Sequence, residues 1–211
     1  MRTLVFLGLV LLTAAGCDDF AFEPAPLTVD EAERAKQALD FSLELTEIVF
    51  EAYANETPIL DERLPCEGGV PGRASGFLSE SPDARQRFTI EVTANRCPHF
   101  SVDLLLSGSI TSSPEAVSIT SRLSGVAWLD STWQRVEFGS LENTLSARLI
   151  SESPSLLIDE NSRVVEGKLD VAPSNNFGVS ECRFSEAAIG PDFSAGELAD
   201  LYCQRVARSS D

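Results

Sequence analysis

The chain has 211 residues, 43% of them apolar, enough for one domain with a full core and too apolar for a disordered segment. It carries 33 acidic residues against 16 basic ones, a formal net charge of −17. A field of that sign repels nucleic acid and anionic lipid headgroups alike, which argues against any polyanion partner.

Arg2 gives the N-terminus a positive charge, Leu4 to Leu12 is an unbroken apolar run, and Thr13-Ala14-Ala15-Gly16 leads in small residues to Cys17. That order is the layout of a secretory signal peptide, and the run is too short to span a bilayer. The ending Ala14-Ala15-Gly16-Cys17 resembles the lipobox of bacterial lipoproteins. The resemblance covers the leader only and says nothing about the domain that follows. It implies cleavage before Cys17 and acylation of its sulfur and new amino group. The mature chain would then be tethered to a cell membrane or outer membrane, facing the periplasm or exterior. The implied division is a signal peptide over 1–16, an acylated cysteine with its tether over 17–27, and a single disulfide-stapled domain over 28–211. Losing Arg2 moves the formal charge to −18, so the acyl anchor alone would hold the domain at the membrane.

Residues 18–27, with Pro24 and Pro26, read as an extended acidic tether. At about 3 Å per residue it spans roughly 30 Å. Thr28-Val29-Asp30-Glu31 has the form of a capping box and predicts a helix from Val29 to Ala54. Asp40, Glu44, Glu47 and Glu51 fall on one narrow stripe, which reads as solvated surface. Ala35, Ala38, Leu39, Phe41, Leu45, Ile48, Val49, Phe50 and Tyr53 lie on the broad remaining arc, which must pack on a sheet or a second helix.

Residues 55–85 contain Pro58, Pro65, Pro71 and Pro82 among several glycines and read as irregular chain pinned at Cys66. From Gln86 the period becomes two. Phe88, Ile90 and Val92 alternate with polar residues, then Phe100, Val102, Leu104 and Leu106. Further runs cover Val117–Leu129, Thr132–Phe138, Leu141–Ile150, Leu156–Ile158 and Arg163–Val171. Gly108, Gly125 and Gly167 interrupt these runs and predict bulges or bends. Ser194-Ala195-Gly196-Glu197 is a second capping box, predicting a short helix through Ala207. The fold class that follows is α+β. It is an antiparallel, curled β-meander of about six to eight strands packed on a long N-terminal helix, with a short C-terminal helix.

Cys66, Cys97, Cys182 and Cys203 are an even number in an exported chain, which reads as two disulfides. Of three connectivities, Cys66–Cys97 and Cys182–Cys203 each bracket a compact segment, the second fastening the C-terminal helix to the segment Val179–Phe184. No pair has the close Cys-x-x-Cys spacing of a metal site, so neither metal nor cofactor is expected. His99 is the one histidine and falls in a turn beside Cys97 and Pro98. The chain has no Gly-x-Ser-x-Gly, His-Glu-x-x-His, P-loop or dinucleotide fingerprint.

One constellation is sharper. If Asp130-Ser131 is a two-residue hairpin loop, Trp128 lies opposite Trp133, Val126 opposite Arg135, and Ser124 opposite Glu137. The other face, with Leu123, Ala127, Leu129, Val136 and Phe138, reads as the core side. Trp128, Trp133 and Arg135 would form an aromatic platform able to stack on a sugar ring or anchor a partner; the alternative is a cross-strand pair that only locks the hairpin. The expectation is a membrane-anchored lipoprotein acting as a non-enzymatic binding or assembly module, its partner an envelope protein or glycan. Two alternatives are a carrier enclosing an apolar ligand within the curled sheet and a hydrolase using two carboxylates.

Overall fold

The structure is a computed structural model that describes residues 26–57, 59–64, 72–79, 85–94, 101–113, 116–128, 135–149, 156–158, 163–171, 179–190 and 192–206. Helix α1 (Val29–Ala54) begins where the capping box places it. Thr28 Oγ1 accepts from the Glu31 backbone N–H at 3.3 Å, and the Glu31 carboxylate accepts from the Thr28 N–H at 2.8 Å. Two donors that the first turn leaves without helical partners are thereby satisfied. Ala35, Ala38, Leu39, Leu43, Leu45, Val49 and Phe50 are buried, while Asp40, Glu44 and Glu51 are exposed.

Ten strands follow among the described residues: β1 (Ile59–Leu64), β2 (Gly72–Ser79), β3 (Arg85–Ala94), β4 (Ser101–Ser112), β5 (Ala116–Trp128), β6 (Arg135–Leu149), β7 (Leu156–Ile158), β8 (Arg163–Val171), β9 (Val179–Ile189) and β10 (Cys203–Val206). Helix α2 (Ala195–Tyr202) stands between the last two. The spatial order is β1-β2-β3-β4-β5-β6-β8-β9-β10, with β7 also on β6, and every pairing is antiparallel. This is a curled meander that does not close, with β1 and β10 at its edges.

Alternation decides which face is inner. Phe88, Ile90 and Val92 of β3, Leu104 and Leu106 of β4, Ile119 and Leu123 of β5, and Phe138, Leu141 and Leu145 of β6 are all buried. They form one continuous core with the apolar arc of α1, which packs against β1, β5, β6 and β8. A buried polar seam also crosses this interface. Thr46 Oγ1 and Ser121 Oγ are 2.7 Å apart, and Asn143 Nδ2 donates to Ser42 Oγ at 3.4 Å. Ser121 and Asn143 are cross-strand partners, so these contacts fix where along the sheet the helix sits.

Gly125 and Gly167 sit at register shifts with φ of 126° and 114°. A Cβ on Gly125 would lie 2.3 Å from the Asp103 carbonyl oxygen, so a side chain there fails on both backbone and space. Gly108 differs, because it pairs in regular register and is needed for room. A Cβ there would meet the Thr120 carbonyl oxygen at 2.1 Å.

Several expectations are corrected. Residues 55–85 are not irregular throughout, since β1 and β2 lie within them. The prolines that suggested a loop fall outside both strands, Pro58 and Pro65 flanking β1 and Pro71 preceding β2. The runs Thr132–Phe138 and Leu141–Ile150 are not two strands. They belong to the single β6, interrupted by a register shift between Gly139 and Glu142 where Ser140 has φ 55°. With β1, β2 and β10 added, the described strands number ten, in the expected antiparallel curled meander. The C-terminal helix ends at Tyr202, not Ala207, because Cys203–Val206 pairs with β9 instead.

Candidate functional site

The outer face of the sheet carries Trp128, Arg135 and a row of charged residues. Trp128 ends β5 on this face, half-buried, beside the buried Ala127 of the inner face. Its register partner is Arg135, and that of Val126 is Glu137. The expected pairing of Trp128 with Trp133 is thus displaced by two residues. A shift of two preserves the faces, so Ala127, Val136 and Phe138 are buried as expected and Arg135 is exposed. Arg135 pairs with Glu137 at 2.8 Å, both side chains being 46% exposed. Trp133, His99, Cys17, Cys66 and Cys97 lie outside the described residues, as does Leu129. The described strand ends that flank 65–71 and 95–100 lie at the same end of the sheet as Trp128, as the pairs Arg73 with Thr93, Ala94 with Val102, and Ser101 with Trp128 show.

A charged network that residue counting does not reveal continues from Glu137 across β8 and β9. Glu137, Asp170 and Glu181 are successive register partners, three carboxylates in one row. Lys168 and Arg183 are likewise opposite one another. Direct neighbours are therefore of like sign, and attraction comes from diagonal and same-strand contacts. Lys168 Nζ reaches Glu181 at 2.8 Å and Asp170 at 3.0 Å, and Arg183 pairs with Glu181.

Glu181 is nearly buried, which acts to raise its pKa, but hydrogen bonds from Arg183 and Lys168 bring it below the ordinary glutamate value. Asp170 goes the other way. Burial raises its pKa, the Lys168 contact opposes this without overcoming it, and Glu181 and Glu137 add repulsion. One of its oxygens, Oδ1, is buried without a hydrogen-bond partner. The motifs Lys168-x-Asp170 and Glu181-x-Arg183 were readable as same-face pairs at period two, whereas their adjacency depends on a bulged register that sequence does not announce.

The predicted Cys182–Cys203 disulfide is present, between cross-strand partners of β9 and β10 with Cα atoms 3.9 Å apart. It therefore fastens an edge strand rather than the helix. Arg205, two residues on, donates to the Glu31 carboxylate at 2.6 Å, and Glu31 is fully buried. Burial acts to raise the Glu31 pKa, and hydrogen bonds from the Thr28 backbone, Arg205 and the Thr28 hydroxyl outweigh it, leaving a net lowering. The start of α1 is thus held to β10, and β10 is held covalently to β9.

Among the described residues no group of three or more His, Cys, Asp or Glu side chains is disposed to hold a metal ion. No described helix is long and apolar enough to cross a membrane. The chain matches no protein-family model, no curated protein and no solved structure.

Proposed function

We propose that this protein is a lipid-anchored lipoprotein of the bacterial cell envelope whose domain is a non-enzymatic binding or assembly module. The observation that carries the module reading is the single core shared by α1 and the inner face of the sheet. A carrier would keep that space for its ligand; here helix side chains occupy it. The outer face is left to meet partners, and Trp128 and Arg135 are its anchor residues. Anchoring is supported by the leader ending in Gly16-Cys17, and an oxidising compartment by the paired Cys182 and Cys203.

The test is chemical cross-linking of the acylated protein in its own envelope, with Trp128→Ala compared against the unsubstituted chain. The module reading expects a discrete cross-linked product that Trp128→Ala removes, while the Cys182–Cys203 disulfide and far-UV circular dichroism stay unchanged. A product of equal yield in both removes Trp128 from the interface. Loss of folding in the variant favours a hairpin-locking role.

A second reading, hydrolysis by two carboxylates, is favoured by one observation, the raised pKa of Asp170 beside Glu181 and Glu137. Each carboxylate of this row already has a cation beside it, Arg135 at Glu137, Lys168 at Asp170, and Lys168 and Arg183 at Glu181, and the row lies on the outer sheet face rather than across a cleft. Asp170→Asn or Glu181→Gln would abolish hydrolysis of a glycoside panel if this reading held.

A further inference from the structure

The meander ends in two open edges, and the β1 edge carries charge in a particular order. β1 pairs with β2 on one side, and among the described residues no strand pairs with its other side. Asp61, Glu62 and Arg63 stand exposed in its middle, while Leu60 is buried. Charge on an edge strand ordinarily keeps other chains from adding to the sheet. Here the order Leu60-Asp61-Glu62-Arg63-Leu64 is complementary to itself when read against its own reverse.

Within one chain the arrangement is unbalanced. Arg63 lies directly opposite Arg73 of β2, a pairing of like sign. Arg73 turns diagonally to the Asp61 carboxylate, donating from Nε at 2.7 Å and from Nη2 at 3.0 Å. That hydrogen bonding, with the charges of Arg73 and Arg63, holds the Asp61 carboxyl below its ordinary 3.8 and keeps it ionised at neutral pH. Arg63 is left with no ion pair or hydrogen bond among the described residues.

A second copy supplies the missing partner. A twofold axis perpendicular to the sheet reverses the strand direction and keeps each face on its own side, so only residues of one face can be opposed. With that axis at Glu62, Asp61 meets Arg63 of the second copy, Arg63 meets its Asp61, and Leu60 is opposite its Leu64. With the axis at Asp61 or at Arg63, that residue opposes its own copy and neither Asp–Arg pair forms. Glu62 faces its own copy in the favoured register. It is the one contact of like sign, it is exposed to solvent, and two unlike pairs flank it.

We propose that two copies of this chain join edge to edge through β1, antiparallel about an axis at Glu62, so that one sheet continues into the other. This contact uses neither the anchor nor Trp128, and so stands apart from the binding reading above. β1 is 6 residues long, so the contact is small. Association is expected at about 10–100 μM rather than in the nanomolar range.

The test is sedimentation of the full chain in detergent, with micelles in excess, over a dilution series from about 500 to 1 μM. A two-chain mass is expected at the top of the series. Arg63→Glu sets like charges together on both sides of the axis and should weaken the dimer about tenfold or more, and so should Asp61→Lys. Arg63→Glu also removes a like-charged neighbour from Arg73, so it does not loosen β1 within the protomer. An equal mixture of the two variants again opposes unlike charges on both sides of the axis and should recover the two-chain mass. Misfolding of either variant gives no such recovery. Glu62→Gln, which removes the contact of like sign, should associate at least as tightly as the unsubstituted chain. A single-chain mass throughout overturns the proposal. So does self-association that Arg63→Glu leaves unchanged or Glu62→Gln weakens, and so does a mixture of the two charge variants that stays monomeric.

Discussion

Asp170 is the least compensated charge in the outer network. Its folded-state pKa is raised above the ordinary 3.8, so stability is greatest with the carboxyl protonated and is lost as pH rises through the raised value. At neutral pH Asp170→Asn should therefore unfold at higher urea concentration with an unchanged slope; a lower midpoint would show that the Lys168 contact outweighs burial. Glu31 has the opposite sign. Its pKa lies below the ordinary 4.5, so its contribution is full above that value and is lost as pH falls through the lowered one. Glu31→Gln keeps the capping geometry but leaves Arg205 unpaired. Breaking a buried pair costs about 3 kcal/mol, the low end of the usual range, because Arg205 retains some exposure. In urea titrations this gap between Glu31→Gln and the unsubstituted protein should close as pH falls below 4.5; a constant gap would mean that packing, not charge, is lost.

At the scale of elements, α1 was legible to the residue, because a capping box and an uninterrupted apolar arc state both where it starts and which side is buried. The inner faces of β3, β4 and β5 were legible for a similar reason, since period two survives even a register error of two residues. Pairing was less legible. The length of the hairpin loop after Trp128 sets the register of β6, and Asp130-Ser131 does not fix that length. β1 and β2 were hidden by prolines that delimit strands as readily as they break them. β10 was hidden by a helical pattern in Leu198, Leu201 and Tyr202 that stops at Tyr202, where Cys203–Val206 pairs with β9. Of the candidate site, Trp128 and Arg135 were readable, whereas the Glu137–Asp170–Glu181 row depends on two register shifts. Gly125 marks one of the bulges. Gly125→Ala should destabilise by more than about 1 kcal/mol in denaturant titrations, since its positive φ and the Asp103 carbonyl both exclude a Cβ. A neutral result would mean the bulge moves to another residue at no cost.

Over the whole molecule, an open meander has two edges, and they are treated differently. The β10 edge is held by a disulfide closing a 21-residue separation and by the Glu31–Arg205 pair. Replacing Cys182 and Cys203 together by Ser should cost about 3 kcal/mol on the chain-entropy account and free the start of α1 from the sheet. Amide exchange in β10 and in the first turn of α1 should then quicken together; exchange confined to β10 would show that the buried ion pair holds α1 unaided. The first turn of α1 and the stapled edge thus form one mechanical path into the core. The proposed function adds that the chain is exported and acylated at Cys17. Mass spectrometry of the unreduced protein, isolated from its native membrane, tests this most directly. The account predicts an N-terminal peptide beginning at Cys17 with acyl mass on it, and Cys182 joined to Cys203. A chain beginning at Met1 with free thiols would contradict it.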